Sequence, residues 1–306
     1  MQIAQLTRNL KLKTNFHQRQ KRLLRFIANP RIQIQPLFDP LLTMILSLKY
    51  YYRQIPVIID QTDLPADYQG LFASIPYQGR ALAFAYSIFH YDGIKESQNR
   101  IENRFFEFIV ILLKFHGLKP ILLLDRGYAD VKIIRYLKQL KVHYIIRVTK
   151  TTHILLPGYT GALSGLEQEG NWNSVLYHKK ERESVNLVTV WGKDRSGNDE
   201  LVYLVTDIDP AKAVNIYRLR MRVEEGFKDL KNAIGLKYLC LKVNIEERLA
   251  RLVFVAILVA VIAGYLYPVA INYSDQVAKN STDLSFVQLV VYVFQYIWHA
   301  YIGKLG

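Results

Sequence analysis

Twice in this chain a short run of aliphatic residues ends on an aspartate. Pro56-Val57-Ile58-Ile59-Asp60 is the first run, and Lys119-Pro120-Ile121-Leu122-Leu123-Leu124-Asp125 is the second. A short continuous apolar run closed by an acid predicts a buried strand. Each acid then sits at the rim of a sheet, where α/β proteins place ligand sites. Gln61, Thr62, Asp63 and Pro65 follow the first run as turn chemistry.

The segments around these runs fit the same class. Residues 36–54 read as an amphipathic helix. Residues 80–91 alternate, are rich in aromatics and read as a strand. A helix is expected over 97–116, with Phe105, Phe108, Ile109 and Leu112 on one side. Gly127 punctuates the chain, a helix follows at about 129–140, and Tyr144-Ile145-Ile146-Arg147-Val148 is a further strand. Strand, helix and strand in this order predict an α/β fold with a largely parallel sheet. Residues 151–206 are richer in Gly, Asn, Ser and Glu and carry short alternating runs, as expected of an antiparallel β-rich insertion. Val185, Leu187, Thr189 and Trp191 share a face there, which predicts that Trp191 packs in the core. From about 210 to 233 the period is helical, and Gly235 is a plausible stop.

Charge narrows the function. The 306 residues include 40 Lys and Arg against 26 Asp and Glu, a net charge of +14. Such an excess points to a polyanionic partner, because each phosphate neutralised releases counterions. Residues 1–38 contain no acid and carry Arg8, Lys11, Lys13, Arg19, Lys21, Arg22, Arg25 and Arg31, the pattern of a nucleic-acid arm. The single cysteine, Cys240, excludes an internal disulfide and any CxxC metal site. The first residues lack the apolar stretch of a secretory signal, so a cytoplasmic location is expected. Residues 252–271 are apolar over a length that could span a bilayer. They contain Gly264 and Pro268 and continue a charged amphipathic segment, so a buried helix and no membrane partner are expected.

One further pattern carries chemistry. Tyr217, Arg220, Glu224 and Lys231 are spaced so that, at ~100° per residue, they fall within a sector of about 60° on one helix face. A carboxylate there is flanked by two cations and a phenol. Asp60, Asp125 and Glu224 together could form an all-oxygen cage, which suits Mg²⁺ or Mn²⁺. His90, His116, His143, His153 and His178 lack metal-ligand spacing. Asp207 and Asp209 read as caps of the following helix.

The spacing Tyr217-x2-Arg220-x3-Glu224-x6-Lys231 resembles the Y-R-E-K signature of bacterial insertion-sequence transposases, the branch named after insertion sequence four. Asp125-Arg126-Gly127-Tyr128 is similar to that family's second-aspartate motif, and Ile58-Ile59-Asp60-Gln61-Thr62 to its first-aspartate strand. The likeness covers about residues 55–265. It implies a ribonuclease-H-like core with a β-rich insertion and flanking helices. The divisions expected are a basic helical N-terminal region over 1–54, core over 55–150, insertion over 151–206, core again over 207–272, and a helical tail over 273–306.

The resemblance also implies roles. Asp60, Asp125 and Glu224 would hold two divalent ions, Mg²⁺ or Mn²⁺. Tyr217, Arg220 and Lys231 would contact transposon-end phosphates, with Arg126 as a further DNA contact. The implied activity is DNA cleavage at transposon ends and joining of a 3′-hydroxyl to target DNA. The implied partners are double-stranded DNA and a second copy of the chain at synapsis, at the nucleoid of a bacterial cytoplasm. Several members pass through a hairpin helped by a tryptophan of the insertion, where Trp172 and Trp191 lie here. The alternatives are a nuclease of the same fold without strand transfer, and an inactive basic DNA-binding relic.

Overall fold

Both acid-terminated runs are strands, and they are neighbours. The computed structural model describes residues 13–48, 53–90, 98–193, 196–221 and 246–277, together with residue 290. In it β1 (Gln54–Asp63) pairs in parallel with β4 (Lys119–Leu124), with Val57 opposite Leu122 and Ile58 opposite Leu123. Pro56 is tolerated inside β1 because pairing with β2 (Tyr68–Tyr77) begins only at Ile58. β1 runs on through Gln61, Thr62 and Asp63, where the sequence predicts a turn. The turn comes after Asp63, at residues 64–67, with Ala66 and Asp67 at positive φ.

β2 and β3 (Arg80–His90) form a hairpin over Gln78 and Gly79, both at positive φ as a two-residue turn of this type demands. From Gln69 to Tyr77 every residue of β2 is buried. Successive side chains point to opposite faces, so both faces of the sheet are covered here. The helix α3 (Gln98–Phe115) connects β3 to β4, and α4 (Val131–Gln139) connects β4 to β5 (His143–Val148), which pairs in parallel with β4. The sheet order β3-β2-β1-β4-β5, an antiparallel meander followed by two parallel strands, is that of a ribonuclease-H-like core.

Residues 153–206 continue the same sheet. β6 (His153–Leu156), β7 (Tyr159–Ala162), β8 (Gly170–Tyr177), β9 (Glu183–Lys193) and β10 (Asp199–Thr206) extend it in the order β10-β9-β8-β6-β7, joined through β10 antiparallel to β5. Trp191 is 50% exposed, contrary to the core packing its alternation predicts. The β8–β9 ladder reaches only to Gly170 opposite Thr189, so nothing of β8 covers the strand beyond. Trp172 is partly buried and packs against the core instead.

On the N-terminal side, α1 (Phe16–Ile27) is capped by the Asn15 side chain and exposes Lys21, Arg22 and Arg25. The helical segment expected over 36–54 is shorter: α2 (Phe38–Ser47) ends before β1 begins at Gln54. After β10, Asp209 caps α5 (Pro210–Tyr217). Asp207 is no cap. It accepts from the Tyr144 backbone N–H at 2.9 Å and pairs with His143.

The apolar stretch 252–271 lies within α6 (Glu246–Val277), which packs on β3. The Tyr86 hydroxyl donates to the Ala250 carbonyl at 2.6 Å, and buried Arg251 donates to the carbonyls of Ile27 and Ile32. Among the described residues α6 is the helix long and apolar enough to cross a membrane, and 39% of its most apolar window is buried within the molecule.

Candidate active site

Asp60 and Asp125 each lie two positions beyond the last paired residues of the β1–β4 ladder, Ile58 and Leu123. Side chains alternate with period two, so equal offsets on parallel neighbours put both carboxylates on one face at one level. Asp60 lies inside the extended β1, and Asp125 is the first residue after β4. The Asp125 carboxylate is oriented by its own turn. Its Oδ1 accepts from the Gly127 N–H at 2.9 Å, and the Tyr128 N–H donates to the Asp125 carbonyl at 3.1 Å. Oδ2 is left facing the site. A side chain at position 127 would bring Cβ to 3.0 Å from Oδ1, which explains the glycine.

Arg220 closes the pair. Its Nη2 donates to Asp60 Oδ1 at 2.8 Å and lies 3.6 Å from Asp125 Oδ2. One nitrogen thus reaches both acids. Burial disfavours the guanidinium charge, but Tyr217, Asp60 and Asp125 outweigh it and hold the proton more tightly than in a solvated arginine. The Tyr217 hydroxyl donates to the carbonyl of Leu124, the residue before Asp125, at 3.3 Å. Burial pushes that hydroxyl up to about 12.

The helix predicted over 210–233 changes form midway. α5 ends at Tyr217 and a 3-10 turn follows at Arg218–Met221. Tyr217 and Arg220 still converge on the two aspartates. Glu224 and Lys231 lie outside the described residues. Arg126 is exposed at the rim beside Asp125. The structure therefore brings together four of the seven residues singled out from sequence, with Arg126 adjacent.

Two neighbours were not singled out. Glu102 on α3 is 5% exposed and accepts from Gln98 Nε2 at 2.8 Å. Burial chiefly, and the charge of Asp125, push its carboxyl above the ordinary carboxylate range. Its signal was present in the sequence: Glu102 stands among Phe105, Phe106, Ile109 and Leu113 on the apolar side of α3, where an acid is anomalous. The second is Tyr128. Its ring packs edge-on against Phe106 with centroids 5.8 Å apart, and its buried hydroxyl has no hydrogen-bond partner among the described residues. Arg220 Nε, also buried, has none either among the described residues.

The donor set fits a hard cation. Two convergent carboxylates supply oxygen ligands, and a guanidinium already places positive charge between them. Among the described residues no group of three His, Cys, Asp or Glu forms a metal cluster. The third acid of the predicted set, Glu224, is not among them.

The family model described as the transposase DDE domain matches residues 54–259. No curated protein matches the chain in sequence. Among solved structures, it is similar to the cryo-EM structure of a piggyBac transposase synaptic complex with hairpin DNA. The identity is 12% and the TM-score 0.42, over 93% of this chain and 60% of that chain. The chain thus spans less than two thirds of the length of that solved protein.

Proposed function

Since the chain belongs to the transposase DDE domain family, we propose that it is a DNA transposase, of the insertion-sequence-four branch with the Y-R-E-K signature. Its reaction is hydrolysis of a phosphodiester at a transposon end, which breaks a P–O bond and leaves a 3′-hydroxyl. That hydroxyl then attacks a target phosphodiester, forming one P–O bond as another breaks. The observation that carries this reading is the meeting of Asp60, Asp125 and Arg220, one guanidinium nitrogen serving acids that are distant in sequence.

Asp60, Asp125 and Glu224 would hold the divalent cations, Mg²⁺ or Mn²⁺. When bound, these supply Lewis acidity to the reacting phosphate and acidify an attacking hydroxyl. Arg220, together with Lys231, would hold a phosphate oxygen through its guanidinium fork. Tyr217 braces the Leu124 carbonyl and so fixes the height of Asp125. Arg126 at the rim and the basic face of α1, with Lys21, Arg22 and Arg25 exposed, contact the duplex backbone. Trp191, half exposed on β9, offers a stacking surface for an unpaired base. Holding two ends at once calls for a dimer, and a DNA substrate places the protein at the nucleoid.

The test is cleavage and joining of the element's own terminal repeats with Mg²⁺ or Mn²⁺. Asp60→Asn, Asp125→Asn and Glu224→Gln are each expected to abolish both steps while leaving DNA binding. Full cleavage by Glu224→Gln contradicts the assignment. Precut ends separate a transposase, which joins them, from a nuclease of the same fold, which does not.

A further inference from the structure

Tyr128 sits beside the aspartate pair with a buried hydroxyl that no described residue engages. It sits three residues after Asp125, at the end of the turn that orients that carboxylate. Its side chain is 4% exposed, its ring is fixed by Phe106, and its hydroxyl is an unpartnered donor among the described residues. The charges that act on the hydroxyl are those of Glu102, Asp60, Asp125 and Arg220. A buried donor without an acceptor is costly, and native proteins seldom keep one without a function. Phenylalanine would fill the same space against Phe106 without that cost.

Resting on the metal-dependent reading above, we propose that Tyr128 is a positioning residue for the metal site, whose hydroxyl would donate to an oxygen of the aspartate pair when that pair holds a cation. Arg220 holds Asp60 and lies 3.6 Å from Asp125. Carboxylates that would hold a divalent cation there need hydrogen-bond donors that keep their orientation. Carboxylates that ligate metals are themselves hydrogen-bonded, and losing such a partner costs roughly 10- to 100-fold in affinity. Burial first, and the three nearby carboxylates, keep the hydroxyl protonated far above neutral pH, so it remains a donor throughout.

The experiment is calorimetric titration of the full chain with MnCl₂ alone, beside thermal unfolding without metal. Tyr128→Phe is expected to unfold at the same or a higher temperature than the wild type, yet to bind Mn²⁺ about tenfold more weakly. Unchanged Mn²⁺ affinity overturns the proposal. So does a lowered metal-free unfolding temperature with unchanged affinity, which marks a purely structural residue. Asp60→Asn is the control for the site itself. If it too leaves Mn²⁺ binding intact, the metal reading fails. If it abolishes binding while Tyr128→Phe does not weaken it, only the role of Tyr128 fails.

Discussion

Nη2 of Arg220 lies 2.8 Å from Oδ1 of Asp60, across 160 residues of chain. Both side chains are largely buried, 13% and 16% exposed, so the contact is a shielded ion pair rather than a surface one. Removing one partner of such a pair strands the other. Arg220→Met is expected to destabilise the metal-free protein by about 3 kcal/mol, read by urea unfolding. The same variant should show a larger rise in unfolding temperature on adding MnCl₂ than the wild type, because the cation no longer competes with the guanidinium. A smaller rise would show that Arg220 does not occupy the position of the cation's charge.

Gly127 bears on Asp125 through space. The added Cβ of Gly127→Ala meets Asp125 Oδ1 at 3.0 Å, so the carboxylate has to shift by a few tenths of an ångström. Stability should change by less than about 1 kcal/mol, since the position is exposed. Metal-dependent cleavage should fall by up to about 100-fold, the scale for small displacements in a catalytic constellation. Equal loss of stability and activity would instead mark a folding defect.

Tyr217 braces without ionising. With its hydroxyl at about 12, it stays neutral through the working pH range. Tyr217→Phe removes one long hydrogen bond to the Leu124 carbonyl, a loss of about 0.5–1 kcal/mol. The pH–rate profile of the variant between pH 6 and 9 should parallel that of the wild type at a lower level. Disappearance of a basic limb in the variant would assign Tyr217 an acid–base role that its environment argues against.

Glu102 makes stability depend on pH. Its carboxyl is raised above the ordinary 4.5 by burial first, then by Asp125 and Asp130, against the Gln98 bond that lowers it. The folded protein therefore holds this proton more tightly than the unfolded chain. The stability so gained is complete below about 4.5 and is lost as pH rises through the raised value. Glu102→Gln, which cannot ionise, should become progressively more stable than the wild type as pH rises from 4.5 to 8 without metal. A constant difference across that range would show that Glu102 titrates normally.

Trp191 tests the reach of the insertion. Half exposed, it contributes little to the core, so Trp191→Ala should shift the unfolding temperature by only a degree or two. If the ring stacks on an unpaired base, the variant accumulates nicked ends at the expense of hairpin or double-strand products on a gel. An unchanged product pattern removes Trp191 from the reaction.

Much of the fold was written locally. The runs ending at Asp60 and Asp125, the alternation of 80–91 and the apolar stripe of 97–116 each follow from a period that a few neighbouring residues define. β2 escaped because it does not alternate. Buried on both faces and carrying Gly70 and Pro76, it shows neither a strand period nor a clean apolar run. Asp207 misled for a similar reason. An acid ahead of a helix reads as a cap, and only the fold reveals Tyr144 and His143 as its partners.

The sequence by itself determined that two buried strands would each carry an acid at the end of an apolar run, and that Tyr217 and Arg220 would face one way, because side-chain direction follows from backbone period alone. Tertiary structure decided what those groups meet. It chose Arg220 as the counter-charge of Asp60, set Glu102 and the Tyr128 hydroxyl beside the pair, left Trp191 in solvent, and ran the insertion into the core's own sheet through β10. The reason is that charge pairing and burial depend on distances between segments far apart in the chain. No local pattern encodes them, and only the closing of the sheet brings them into contact.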